Sequence, residues 1–239
     1  MDMNQALEDL SAYEAVYWPS DEVAEQIKSF TLATFIGPVA VGKTTCIDQV
    51  TQIDDQFGGV KSFTTRPRRA EDSDNEYRFL DREDPYLSRI AKMAIIRKGG
   101  LVQYSVHPTT GHIYGSEISD YDHPYMMLAT LSNHIKELAR LPFNKMVELT
   151  LVTKPEEWVR RFQSRYVGPD ELRKRALEGK QSLEWSLDQG EDMLWVCTPT
   201  GIKSETALEI RDLIKGTRKP NYLNRLIGQK LLDEISRHV

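Results

Sequence analysis

Gly37-Pro38-Val39-Ala40-Val41-Gly42-Lys43-Thr44, set directly behind the apolar run Leu32–Ile36, decides how this chain folds. The pattern Gly-x4-Gly-Lys-Thr predicts a strand, a tight loop and a helix that opens at Lys43. In such a loop the backbone N–H groups of Val39, Ala40, Val41 and Gly42 turn toward one point, where a polyphosphate can sit. Gly37 and Gly42 allow the tight path and a close approach to the backbone. Lys43 has the reach for the outer phosphates, the Thr44 hydroxyl can hold Mg2+, and Thr45 follows in the first helical turn. A polyphosphate held with Mg2+ is therefore the expected ligand of the loop.

A chain of 239 residues is one large domain or two small ones, long enough to bury a proper core. Its 31 basic and 36 acidic side chains give a net charge of −5, which argues against polymeric nucleic acid as the main partner. Any basic site must be local. Cys46 and Cys197 are the only cysteines; they read as buried thiols, with neither a disulfide framework nor metal-ligand spacing. No window approaches 18 apolar residues, and the start lacks a basic-then-apolar signal, so the expectation is a cytoplasmic protein without a membrane partner.

Residues 1–29 carry Leu7, Leu10, Tyr13, Val16 and Tyr17 at roughly helical spacing, and Ser20 before two acids caps a second short helix, which together predict an N-terminal helical extension. From 30 to 216 strands and helices alternate. The strands are Leu32–Ile36, Val60–Thr64, Leu101–Val106, Tyr125–Leu131, Met146–Val152 and Met193–Cys197. Helices start at Lys43 and cover Pro85–Lys98, Asn133–Arg140, Pro155–Tyr166, Pro169–Leu187 and Ser204–Lys215. This order predicts an α/β fold, the three-layer sandwich of P-loop NTPases around a mostly parallel central sheet. Residues 217–239 form a C-terminal helix whose stripe of Leu223, Leu226, Ile227, Leu231, Leu232 and Ile235 fits either docking on the domain or a contact between oligomer subunits.

The segment Ser62-Phe63-Thr64-Thr65-Arg66-Pro67-Arg68-Arg69 sets three arginines among hydroxyls. Taken by itself it is also consistent with a solvated basic turn paired with Glu71, Asp72 and Asp74. Beside a phosphate loop it suits a second phosphate, because guanidinium forks bind phosphate oxygens bidentately and offset charge where two anions must approach. Both anion sites are expected at the carboxyl edge of one sheet.

The phosphate loop, this arginine segment with its Tyr77-Arg78-Phe79, and His112-Ile113-Tyr114-Gly115-Ser116-Glu117 together resemble the guanylate kinase family in order and approximate spacing, from about Thr31 to Ile214. The resemblance implies an ATP-dependent nucleoside monophosphate kinase with a small acceptor-binding subdomain at about 62–120 and a helical lid at about 160–185. It assigns the grip on the acceptor phosphate to Ser62, Arg66, Arg69, Tyr77 and Tyr114, and places the Ser116 hydroxyl near the base. Arg161, Arg165 and Arg175 match the lid arginines that reach the transferring phosphate. GMP or dGMP is the first acceptor implied.

This chain departs from the family at the two acids that read guanine. Gln103 best matches the first, given an insertion around Thr109-Thr110, and it equally fits an ordinary polar residue on a half-buried strand. The second position falls in Leu128–Leu131, which has no carboxylate and so also lacks the family aspartate near the Mg2+ water shell. Nothing in the sequence puts Asp81 or Asp84 in its place. Two other readings stay open. One is a kinase of a phosphorylated sugar, similar to the ribose bisphosphate phosphokinases, which lack the guanine-reading acids. The other is a non-catalytic guanylate-kinase-like module that binds a phospho-ligand, although an intact Lys43 and Thr44 argue against it.

Overall fold

A computed structural model describes residues 3–69, with side chains from Glu8 onward, and residues 77–81, 85–108, 110–190, 193–201 and 204–239. Glu71, Asp72, Asp74, Asp84 and Thr109 lie outside the described residues. The chain divides into two compact units, one of Met1–Thr31, Gly58–Met126 and Lys136–Lys145, the other of Leu32–Phe57, Met127–Ile135 and Met146–Val239.

In the first unit, helices α1 (Met3–Tyr13) and α2 (Asp21–Ile27) precede strand β1 (Thr31–Ile36), which leads on into the second unit. Ser20 caps α2 by accepting from the Val23 amide, as the sequence predicts. After helix α3 (Lys43–Ile53) come the short strands β2 (Phe57–Gly59), β3 (Ser62–Thr64) and β4 (Tyr77–Phe79), then α4 (Pro85–Ile96), β5 (Leu101–Val106) and β6 (Ile113–Glu117). Strands β4-β3-β6-β5 make a four-stranded sheet in which β3 runs parallel to β4 and antiparallel to β6. One face of this sheet buries Phe63, Leu101, Tyr104 and Ile113 against α1 and α4, with Leu10 and Tyr17 in the same cluster. The N-terminal helices are fixed there by polar contacts as well: the Tyr17 hydroxyl donates to the Leu101 carbonyl at 2.6 Å and the Tyr104 hydroxyl to the Leu10 carbonyl at 2.9 Å.

The central sheet is parallel, five-stranded and ordered β2-β7-β1-β8-β9, with β7 at Tyr125–Ala129, β8 at Lys145–Val152 and β9 at Leu194–Cys197. Every residue of β1 is buried, as a strand covered on both faces requires. Around β8 and β9 the second unit adds α6 (Pro155–Arg165), α7 (Pro169–Asp188), α8 (Ser204–Lys215) and α9 (Leu223–Ile235), after a single helical turn α5 (Ile135–Leu138) in the connection from β7. Helix α9 packs on α7, α6 and β9, burying Leu231 and Ile235. Its Asn224 side chain donates to the Trp195 carbonyl at 2.9 Å. Docking therefore accounts for one side of the apolar stripe, while Leu223 and Leu226 stay 66% and 60% exposed.

The sequence-based strand Val60–Thr64 is corrected by this topology. The chain leaves the central sheet after β2 and enters the other sheet at β3, so the arginine segment does not sit at the edge of the sheet that carries the phosphate loop. Strands of three residues, such as β2, β3 and β4, are too short to show a period, so the sequence does not separate β2 from β3.

Gly115, inside the Tyr-Gly-Ser run, owes its identity to packing. A Cβ there would stand 2.3 Å from Phe63 Cζ and 2.7 Å from the Gln103 carbonyl oxygen. Phe63 is fully buried and cannot swing aside. Gly115→Ala is expected to lower unfolding free energy by about 1–3 kcal/mol through overpacking, read as a lower midpoint in chemical denaturation; an unchanged midpoint would show that the sheet relaxes around the methyl group.

Candidate active site

Strand β1 delivers the chain into the loop 37–42, where Gly37, Ala40 and Gly42 take φ of 130°, 65° and 93°. Only glycine fits at position 37, because a Cβ would lie 2.4 Å from the Leu151 carbonyl oxygen on the neighbouring β8. Gly42 is the N-cap of α3, whose 11 residues begin at Lys43 and bring Thr44 and Thr45 into the first turn. The loop, the helix start and their order are those the sequence predicts.

Each carbonyl of the loop has a donor. Lys43 Nζ donates to the Gly37 and Pro38 oxygens at 2.7 and 2.9 Å. The indole of Trp158 on α6 donates to Val39 O at 3.0 Å, and the Thr198 hydroxyl, just past β9, donates to Val41 O at 2.7 Å. Arg161 Nη1 stands 3.5 Å from both Ala40 O and Val41 O, and the Cys46 amide closes the first helical bond to Gly42 O at 2.9 Å. Cys46 itself is buried and its thiol is pushed up to about 12 by burial, so it serves as packing and not as a nucleophile.

The three lid candidates differ in their surroundings. Arg161 donates to Glu157 at 2.6 Å and to the Pro199 carbonyl at 2.8 Å, in addition to its place beside the loop. Bonds from Arg160 and Arg161 hold the Glu157 carboxyl down to about 2. Arg175 on α7 bonds Glu171 at 2.8 Å and Glu178 at 2.9 Å. Arg165 is exposed at the end of α6, and both it and Arg175 lie 5.8 Å from the Tyr166 ring. The structure thus brings Arg165 and Arg175 to one ring and sets Arg161 behind the phosphate loop.

The candidate acceptor residues collect in the first unit, on one face of the four-stranded sheet. Alternation sends Phe63, Tyr104, Ile113 and Gly115 to the core side and leaves Ser62, Thr64, Tyr77, Phe79, Gln103, Tyr114 and Ser116 on the other. A β-bulge makes this possible for Gln103. Leu101 pairs with Glu117, but Gln103 pairs with Ser116, so the extra residue at Val102 reverses the parity of β5 and turns Gln103 to the same face as Ser116. Gln103 Nε2 then donates to Ser116 Oγ at 3.0 Å, and Ser116 Oγ meets the Tyr121 hydroxyl at 2.9 Å.

Arg66 is only 7% exposed. Its guanidinium lies 4.9 Å from the Tyr77 ring and 5.1 Å from the Phe79 ring, and donates to the Pro67 carbonyl at 3.0 Å. Tyr114 sits edge-on to Tyr77 with ring centres 6.0 Å apart, and His107 lies 6.3 Å from Tyr114. Arg69 is half-buried in the segment after β3. The opposite face carries a separate charge network, Arg78 with Asp120 and Glu117, and Tyr86 with Glu117, which ties β4 and β6 to α4.

Sequence reasoning missed Trp158, Thr198, Phe79, His107 and Tyr121. Only Phe79 had a signal, as the third residue of the Tyr-x-Phe run; Trp158 and Thr198 reach their partners from distant segments, while His107 and Tyr121 meet Tyr114 and Ser116 across the β5–β6 hairpin and the turn after β6. Leu128–Leu131 closes β7 and the turn after it without a carboxylate. Among the described residues no group of three or more His, Cys, Asp or Glu could hold a metal ion, and no helix is long and apolar enough to cross a membrane.

No protein-family model and no curated protein matches the sequence. Among solved structures, the guanylate kinase of Anaplasma phagocytophilum is similar, with a TM-score of 0.50 at 16% identity over 80% of this chain and 86% of that one. A protein assigned as a polyphosphate kinase 2 from Pseudomonas aeruginosa overlaps at a TM-score of 0.36 and 15% identity, over 91% of this chain and 48% of that one, a likeness too loose to bear on the fold. The chain spans about half the length of that second protein. At these identities the likeness speaks to architecture, and the architecture is a kinase-like P-loop fold.

Proposed function

We propose that the protein is an ATP-dependent phosphotransferase of the guanylate kinase type, moving the terminal phosphoryl group of ATP onto the phosphate of a nucleoside monophosphate, with GMP or dGMP as the first acceptors. One observation carries this reading: a buried guanidinium, Arg66, lies between Tyr77 and Phe79 on the sheet face that also bears Ser62, Gln103, Tyr114 and Ser116. Among the described strand residues that make this face there is no carboxylate. Beside a phosphate loop, a guanidinium set among hydroxyls and aromatic rings suits an anionic ligand, because its fork can bind two phosphate oxygens at once.

The donor side rests on Lys43 and the amides of Val39–Thr45. Mg2+, when bound, would take the Thr44 hydroxyl and phosphate oxygens, keep most of its waters, and offset charge on the transferring group. Ser62, Arg66, Arg69, Tyr77 and Tyr114 would hold the acceptor phosphate, and Arg165 and Arg175 would close over the bond being broken. The acceptor phosphate is already an anion. Positioning and charge stabilisation then suffice, without a general base or covalent nucleophile.

Base selection differs from the family's. With its Nε2 given to Ser116, Gln103 offers neutral amide chemistry where a carboxylate would accept from both the guanine ring N–H and the amino group. The same neutral surface supports a second reading, a kinase of a phosphorylated sugar, which needs the phosphate grip and no base-reading acid. Non-catalytic phospho-ligand binding is the less supported alternative, because the complete Gly37–Thr44 loop has no use in it.

Lys43→Ala is expected to lower ATP-dependent phosphorylation by a factor on the order of 10² to 10³ in a coupled ADP-release assay, and unchanged turnover would remove the phosphate-loop reading. Arg66→Ala should raise the acceptor KM by about tenfold or more while leaving the KM for ATP alone. Run across GMP, dGMP, AMP, UMP, CMP and ribose phosphates, the same assay fixes the acceptor. A response to ribose bisphosphates alone supports the sugar-kinase reading, and nucleotide binding without turnover on any of them supports the binding module.

A further inference from the structure

We infer that Trp158, Arg161 and Thr198 are positioning residues for the phosphate loop: they hold its carbonyls outward so that its amides face the nucleotide. This rests on the proposal that the loop binds ATP. A trans peptide is planar and sends its C=O and the following N–H in opposite directions. Pinning the oxygens of Val39, Ala40 and Val41 on the α6 side therefore turns the amides of Ala40, Val41 and Gly42 to the other side. The donors come from two places far apart in sequence, α6 and the residue after β9, and they meet three consecutive peptides. Ala40, a non-glycine residue, is held at φ 65°, a strained conformation that persists only where its surroundings over-determine it.

Each donor is itself held. Trp158 is fully buried, stacked on Phe162 with ring centres 4.3 Å apart and met edge-on by His238 at 5.6 Å. His238 lies in the 3-10 turn Ser236–His238 that follows α9, so the C-terminal segment supports the ring that supports the loop. The Thr198 amide donates to Val152 O at 2.7 Å, while Thr153 Oγ1 donates to Thr198 O at 2.7 Å, fixing the hydroxyl under Val41. Arg161 is anchored by Glu157 and Pro199 O. In this arrangement Arg161 acts through the loop and not on the transferring phosphate.

The test compares Trp158→Phe, which keeps the ring stack and loses the N–H, Thr198→Val against Thr198→Ser, and Arg161→Gln. Binding of ATP with Mg2+ is measured by calorimetry without any acceptor, with a denaturation curve for each variant. Loss of a single bond is expected to weaken ATP binding roughly two- to tenfold in Trp158→Phe, Thr198→Val and Arg161→Gln, with acceptor KM unchanged and Thr198→Ser close to the parent protein. The inference is overturned if Trp158→Phe and Thr198→Val bind ATP as tightly as the parent, or if Arg161→Gln slows turnover at saturating ATP with its affinity for ATP intact. The Thr198 pair differs by little in volume, so it decides the matter even if Trp158→Phe does not fold. Lys43→Ala separates the two levels: a parent protein that binds ATP no better than Lys43→Ala would sink the ATP reading itself, whereas a deficient Lys43→Ala beside normal Trp158→Phe and Thr198→Val would sink only the positioning role.

Discussion

The structure depends on one accounting of backbone hydrogen bonds. Between Gly37 and Gly42 the chain belongs to neither the strand behind it nor the helix ahead, so its peptide groups need partners from elsewhere. The carbonyls find them in Lys43, Trp158, Arg161, Thr198 and the first turn of α3. Satisfying the oxygens on one side leaves the amides and the start of α3 directed to the other. The proposed anion nest rests on where the carbonyls go, and the glycines allow the path that takes them there.

The same economy governs the other sheet. Its core face is set by Phe63, Leu101, Tyr104 and Ile113, and once that face is buried the alternate residues are committed to the opposite side. That is why Ser62, Tyr77, Tyr114 and Ser116 share a surface without any local rule that groups them. Gly115 connects the two faces: by leaving room for the Phe63 ring on one side it lets its neighbours Tyr114 and Ser116 line the other.

Charge placement follows burial. Arg66 lies against the Tyr77 and Phe79 rings on one side of the four-stranded sheet, and Arg78, Asp120 and Glu117 pair with one another on the helix side. Within the second unit, Arg161 and Arg175 are each matched to carboxylates one helical turn away on their own helices.

The sequence by itself determined the phosphate loop, the helix at Lys43, the buried parallel strands and most helix positions, because these rest on local rules: glycine at positive φ, apolar runs, caps and the 3.6-residue period. It also named Ser62, Arg66, Tyr77, Tyr114 and Ser116, through their order along the chain. Only the tertiary structure decided that β3 leaves the central sheet, that a bulge at Val102 turns Gln103 toward Ser116, and that Trp158, Arg161 and Thr198 converge on Val39–Val41. Those outcomes depend on strand pairing, and on hydrogen bonds between residues up to 157 positions apart, and no local pattern encodes which distant donor a carbonyl will meet.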